Sequence, residues 1–144
     1  MYQTRKANDN DYRFLFELKK SAEYEAVKAV FGWDESVQKE IHRNEWEEER
    51  PTIIEVEGVP VGSYLLQLCS DYYYFGRFFL LPEYQSKGIG SQVLESITAL
   101  SGQKSLPIKL CYLKGNRVGE LYERFGFVVT EESEDFVYMF KSCE

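Results

Sequence analysis

The sequence predicts one α+β domain over residues 1–144, with a mixed, mostly antiparallel sheet flanked by helices in the order β-α-α-β-β-β-α-β-α-β-β. Three observations lead there. The hydrophobic period is helical up to Pro51 and alternates after it. Short turn signals join the three runs that follow into an antiparallel meander. A glycine-marked amphipathic run at 88–100 then lies between two apolar runs, which makes one strand–helix–strand crossover over residues 75–111. A chain of 144 residues suits one domain with a real core.

Residues 2–7 read as a short strand. "NDND" then offers Asn8 as an N-cap with Asp11 three positions on, both favourable at a helix start. The first helix carries Leu15, Phe16, Leu18, Ala22, Ala26, Val27, Val30 and Phe31 at mixed three–four spacing and ends at Gly32. Asp34 caps a second helix, "DESVQKEIHRNEWEEER", stopped by Pro51. Its apolar stripe is thin (Val37, Ile41, Trp46), while His42, Glu45, Trp46 and Glu49 share one side. So polar a helix is a solvated flap or the wall of a site.

"PTIIEVEG" is a strand turned at Glu57 and Gly58, "VPVGSYLLQLC" the next and "YYYFGRFFLL" the third, in which Gly76 marks a bulge or a close backbone approach. The crossover helix buries Val93, Leu94, Ile97 and Leu100 and stops at Gly102. "LPIKLCYL" is a further strand. "NRVGELYERFGF" is a short helix beginning near Asn116 and ended by Gly126. "FVVTEE" and "DFVYMFKS" close the chain as a hairpin with alternating apolar residues.

Composition narrows the function. Apolar residues make up 44% and charged residues 28%, which is globular and not disordered. With 11 Tyr and 10 Phe, a large aromatic core is the plain reading and an aromatic groove the other. The net charge of −7 argues against nucleic acid and is compatible with a cationic acceptor such as an amine. Cys69, Cys111 and Cys143 have neither metal nor redox spacing, so no metal is expected. Cys69 and Cys111 fall in apolar runs and read as small buried hydrophobes, which suits a reducing compartment. The start "MYQTRKANDNDYRF" has no apolar leader, and no apolar run approaches the length of a membrane span. A cytoplasmic protein without a membrane partner is expected.

The chemistry concentrates in "QSKGIGS". A helix N-terminus leaves about four backbone N–H groups without intrahelical acceptors. Glycine lets an anion approach them with no Cβ in the way. Gln85, Ser86, Lys87, Gly88, Ile89, Gly90 and Ser91 therefore read as a phosphate cradle built of amides, a helix dipole and one lysine. The P-loop pattern is absent, and a dinucleotide turn would need a third glycine where Val93 stands. A glycine-rich turn without ligand is the bland alternative.

"FFLLPEYQSKGIGSQVLESI", followed by "LKGNRVGELYERFGF", resembles the GNAT N-acetyltransferase superfamily. Gln85, Gly88 and Gly90 match its Q/R-x-x-G-x-G/A signature. Asn116, Leu121, Tyr122, Gly126 and Phe127 match its second motif, and the strand order agrees over essentially the whole chain. The resemblance implies a GNAT-like fold with a splayed central sheet and acetyl-CoA as acyl donor. The pyrophosphate would lie on the amides of residues 86–91, and the pantetheine arm would pair with the backbone of Phe78, Phe79 and Leu80 and touch Asn116. The reaction would be transfer of acetyl from the thioester to a primary amine. A backbone N–H near Leu80 would meet the charge that develops on the thioester oxygen, and Tyr122 would protonate the leaving thiolate.

The sequence departs from the family pattern in three places. The strand "DYYYFGRFFLL" has no carboxylate after Asp71, so the base is unassigned among His42, Glu45, Glu40 and solvent. Asn116 and Tyr122 lie one residue closer than in many relatives. Gly119 replaces a common alanine, which would loosen the helix. The acceptor, a small molecule or a peptide amine, would meet Trp33, His42 and Tyr73, with Trp46 and Tyr138 as further lining. Its identity and the acyl-chain length are open. So is the oligomeric state, for which the resemblance allows a homodimer. The alternative function is a non-catalytic acyl-CoA-binding sensor of the same fold.

Overall fold

The order of strands and helices follows the hydrophobic periods. A computed structural model describes residues 2–144. The elements are β1 (Gln3–Lys6), α1 (Tyr12–Val30), α2 (Glu35–Glu48), β2 (Thr52–Val56), β3 (Val59–Leu68), β4 (Tyr73–Leu80), α3 (Ile89–Lys104), β5 (Ile108–Leu113), α4 (Gly119–Arg124), β6 (Val128–Glu132) and β7 (Phe136–Lys141). The strand order is β1-β2-β3-β4-β5-β7-β6. The chain forms two compact units. One runs up to Leu65 and resumes over Arg77–Tyr84; the other comprises Leu66–Gly76 and Gln85–Glu144.

In the first unit β1 pairs antiparallel with β2, and β2 with β3. Asn8 caps the 3-10 turn Asp9–Asp11 that leads into α1, and the Asp11 carboxylate accepts the Asn8 N–H at 2.8 Å. Both Asp11 oxygens also accept from Arg5 (2.7 and 2.9 Å), which holds this carboxyl below its ordinary value. Arg5 Nε reaches Glu55 at 2.8 Å, so β1, β2 and the entry to α1 share one charged joint. Ala7, Leu15, Leu18 and Ile53 form a core, with Phe14, Trp46, Phe79 and Leu81 packed on it.

On α2 the expected apolar stripe is not the buried one. Val37 (48% exposed) and Ile41 (38%) face solvent, whereas Gln38 and His42 are buried. The side that carries His42, Glu45 and Trp46 is the packing face. Its partner is α1: the His42 ring lies 4.5 Å from Tyr12 and 5.5 Å from Phe16, and Trp46 lies 5.3 Å from Tyr12. His42 Nε2 donates to the Tyr12 carbonyl at 2.8 Å, and since a carbonyl only accepts, Nε2 carries the proton.

Burial depresses His42 below its ordinary value of 6.5, outweighing the bond to Tyr12 and the nearby Glu45. The unfolded chain therefore takes up this proton at a higher pH than the folded one, and stability falls as pH drops through 6.5 toward the folded value. The decline in Tm between pH 7 and pH 5 is expected to be shallower in His42→Gln than in the wild type. Parallel declines would show that His42 does not contribute.

In the second unit β4 runs parallel to β5, with Tyr73 opposite Ile108 and Tyr74 opposite Lys109. β7 lies antiparallel to β5 from Ile108 to Leu113 and also pairs with β6. Here α3 passes through Gly102 and ends at Ser105, which takes a left-handed φ of 55°. A glycine in a last turn is tolerated. The stop comes from Leu106 and Pro107: Ser101 bonds Leu106 through both backbone and hydroxyl, and the residue before a proline leaves the helical region. β6 does not alternate. All five of its residues are exposed, Val128 at 58% and Val129 at 47%, because a bulge between Val129 and Glu131 breaks the parity on an edge strand. Cys69 and Cys111 are half-buried rather than buried.

The last helix starts at Gly119, not near Asn116. Asn116 instead accepts the Val118 N–H in a turn ahead of it. Glycine at 119 answers a close approach: a Cβ there would lie 2.2 Å from the Tyr112 hydroxyl.

Candidate functional site

In the second unit the loop before α3 turns through two left-handed residues, Ser86 (φ 60°) and Gly88 (φ 86°). Gln85, Ser86, Lys87 and Gly88 are exposed, Gly90 and Ser91 are half-buried, and Ile89 is buried. The Ile89 side chain thus anchors the helix start and leaves only its backbone to face a ligand. No side chain caps this end, no acidic residue lies in its first turn, and a Cβ built on Gly88 meets nothing within 4 Å. Other helix starts differ. Asp34 and Glu35 stand at the start of α2, and Asp9 and Asp11 in the turn before α1. In a chain of net charge −7, this helix start has kept carboxylates away and left space above its amides. Such a start suits an anion.

Tyr122 is buried in the same unit. Its ring centroid lies 5.7 Å from Phe127, 6.0 Å from Tyr112 and 6.3 Å from Phe75. Asn116 is half-buried, with its side-chain oxygen in the turn before α4. In the first unit Phe78, Phe79 and Leu80 end β4, all half-buried, and the next residue, Leu81, donates its N–H to Val61 at 2.8 Å.

Trp33 and His42 lie in the first unit and Tyr73 in the second. Trp33 donates to Glu35 at 2.8 Å and lies against Tyr24, with the Lys20 ammonium 5.8 Å above its ring. His42 is held between α1 and α2. Tyr73 is buried, its N–H bound to the Pro107 carbonyl. Its neighbours Tyr72 and Tyr74 instead line a pocket of about 650 Å³, with Lys109 and Cys111 of β5, Glu131 of β6, and Tyr138 and Phe140 of β7. Side chains alternate across a strand, so the residues flanking a buried tyrosine share the opposite face. That parity was the signal available in the sequence.

Lys109 Nζ sits 4.3 Å from the Tyr72 ring centroid, and the Tyr74 hydroxyl lies 3.6 Å from Cys111 Sγ. The Tyr72 phenol is held above its ordinary value by its hydrogen bond with Cys69 and stays neutral at neutral pH. A further carboxylate escaped the sequence reading: Glu23 on α1 is raised above its ordinary value by burial, with Glu45 adding to the effect and Lys19 opposing it. Among the described residues no group of three or more His, Cys, Asp or Glu could hold a metal, and no helix is long and apolar enough to cross a membrane.

A family model described as "Acetyltransferase (GNAT) domain" matches residues 47–129. The chain belongs to the GNAT acetyltransferase family. The matched span of this GNAT chain contains the loop before α3, Asn116 and Tyr122, while α1 and most of α2 lie outside it.

Solved structures of similar fold include the PaiA N-acetyltransferase of Thermoplasma acidophilum in complex with coenzyme A (TM-score 0.76, 18% identity, 99% of each chain covered). The ribosomal-protein-S18-alanine N-acetyltransferase of Escherichia coli is similar with a TM-score of 0.72 and 17% identity, over 100% of this chain and 95% of that one. The spermidine N-acetyltransferase of Vibrio cholerae, in complex with CoA and spermine, has a TM-score of 0.71 and 19% identity over 98% and 95%. At these identities the likeness is one of fold. The curated proteins contain no sequence match.

Proposed function

We propose that residues 1–144 form a single N-acetyltransferase domain that moves an acetyl group from acetyl-CoA to a primary amine by direct attack on the thioester. The observation that carries this reading is the start of α3: uncapped, free of carboxylates and open above Gly88, in a chain of the GNAT family. The CoA named in the complexes of the Thermoplasma and Vibrio proteins supports it. When bound, acetyl-CoA supplies the activated acetyl group.

The chain's own residues have separate tasks. The amides of 86–91, with Lys87 and Gln85 beside them, take the pyrophosphate. The backbone of Phe78, Phe79 and Leu80 holds the pantetheine arm, and the Leu80 N–H meets charge on the acyl oxygen. Asn116 touches the arm, and the Tyr122 hydroxyl donates a proton to the departing sulfur.

For the acceptor we favour the pocket of Tyr72, Tyr74 and Tyr138 over Trp33, His42 and Tyr73. Lys109 already covers the Tyr72 face, so the faces of Tyr74 and Tyr138 are the ones that would attract an ammonium group, and Glu131 adds a carboxylate. The neighbours named for spermidine and for a ribosomal-protein alanine support an amine, small or peptidic. The three free thiols fit a reducing, cytoplasmic setting. The strand lacking a carboxylate after Asp71 favours a second reading, an acyl-CoA sensor without turnover.

Calorimetric titration with acetyl-CoA, NAD and ATP tests the donor, and release of CoA thiol with an amine panel separates enzyme from sensor. Micromolar binding of acetyl-CoA alone is expected. Absence of that binding withdraws both readings.

A further inference from the structure

Within the first unit β4 contains a residue that its backbone does not favour. Arg77 has a φ of 48°, in the left-handed region where glycine is the default. An arginine at such a position points to a use for its side chain. Here the guanidinium closes the end of α2. Its NH1 donates to the carbonyls of Glu45 (3.2 Å), in the last turn of that helix, and of Glu49 (2.9 Å), the extended residue just past it, and its NH2 reaches the Glu48 carboxylate at 3.5 Å. Its Nε lies 3.7 Å from one oxygen of the Glu45 carboxylate, whose other oxygen lies 3.5 Å from Lys19 of α1. The side chain is only 18% exposed. A cation across the final carbonyls meets the negative end of the helix dipole, and a charged donor makes these bonds stronger than neutral ones. The backbone of the same residue is also held: the buried Ser63 hydroxyl on β3 donates to the Arg77 carbonyl at 3.1 Å.

One residue therefore fastens the last turn of α2 to the bend in β4 from which residues 78–80 continue. We infer that Arg77 is a positioning residue for acetyl-CoA, setting the backbone of Phe78, Phe79 and Leu80 according to where α2 sits. The inference rests on the acetyl-CoA reading above and concerns a residue with no proposed contact to the donor. The bend and the clamp are separable. Glycine at 77 keeps the left-handed backbone and removes the clamp. Lysine keeps the charge but not the planar group that holds NH1 on the two carbonyls while NH2 and Nε face the Glu48 and Glu45 carboxylates.

The test compares wild type, Arg77→Gly and Arg77→Lys by native-state hydrogen exchange and by calorimetric titration with acetyl-CoA. In Arg77→Gly the amides of residues 78–80 and of the last turn of α2 should exchange at least about tenfold faster, while β1–β2 amides stay within twofold. Acetyl-CoA affinity should fall about fivefold or more, with Arg77→Lys intermediate in both readouts. Faster exchange confined to α2, with affinity within twofold of wild type, would reduce Arg77 to a helix cap and overturn the inference. Equal acceleration everywhere would assign it to global stability and overturn it as well. If Arg77→Gly has no cooperative melt, the same comparison is made with Arg77→Lys alone, whose two segments must still loosen together. A wild type that fails to bind acetyl-CoA removes the functional reading first, and this one with it.

Discussion

Replacing Gly88 by valine is expected to abolish measurable acetyl-CoA binding while the fold survives. The residue has a φ of 86° and open space where a side chain would go. A β-branched side chain there either occupies the space above the first amides of α3 or forces the backbone out of the left-handed region, at about 1–3 kcal/mol. Either route removes hydrogen bonds to a charged phosphate. Losing two of them costs about 3 kcal/mol or more, which is an affinity loss of about 100-fold or greater. The helix itself should persist, because Ile89, Val93, Leu94 and Ile97 remain buried. Titration calorimetry beside a thermal melt reads both halves. Wild-type affinity in a folded Gly88→Val protein would show that the glycine serves the turn alone.

Tyr122→Phe is the second large effect, and a different one. Turnover should fall by about tenfold or more, the lower range for a lost general acid, with acetyl-CoA affinity within twofold of wild type. The substitution keeps the ring between Phe75, Tyr112 and Phe127, so the packing of α4 is retained and only the hydroxyl is lost. Because the effect falls on the chemical step, kcat should carry it while the KM for acetyl-CoA does not. Undiminished kcat would leave Tyr122 as an aromatic core residue and move the proton donor elsewhere, water included.

The order of elements was legible because Pro51 separates two hydrophobic periods and because turns are marked by Gly, Asn and Asp. What escaped depends on partners far away in the chain. Nothing local to α2 shows that His42 will be buried in place of Ile41, since the Tyr12 carbonyl and the rings of Tyr12 and Phe16 make that choice. The bulge in β6 has no glycine to announce it. The loop before α3 was readable because its glycines stand where an anion must approach. The tyrosine run 72–74 carried parity alone, since three identical residues do not show which face of the strand is the buried one. Likewise nothing in "FGRFF" marks Arg77 as left-handed; only its contacts with the end of α2 account for it.

The division of the chain into two interleaved units has a consequence for its synthesis. Neither unit is one continuous stretch. A nascent chain that has emerged only to Leu65 still lacks Arg77–Tyr84, so the first unit cannot close until the segment belonging to its neighbour has been made. The second unit waits longer. The strand order places β7, which is translated after both, between β5 and β6. Until the ribosome has made residues 136–141, β6 lacks its partner and β5 lacks one of its two. Fragments cut at residue 65 or 84 would each carry an incomplete sheet, and a stop codon before Phe136 would remove an interior strand of the sheet rather than trim a tail.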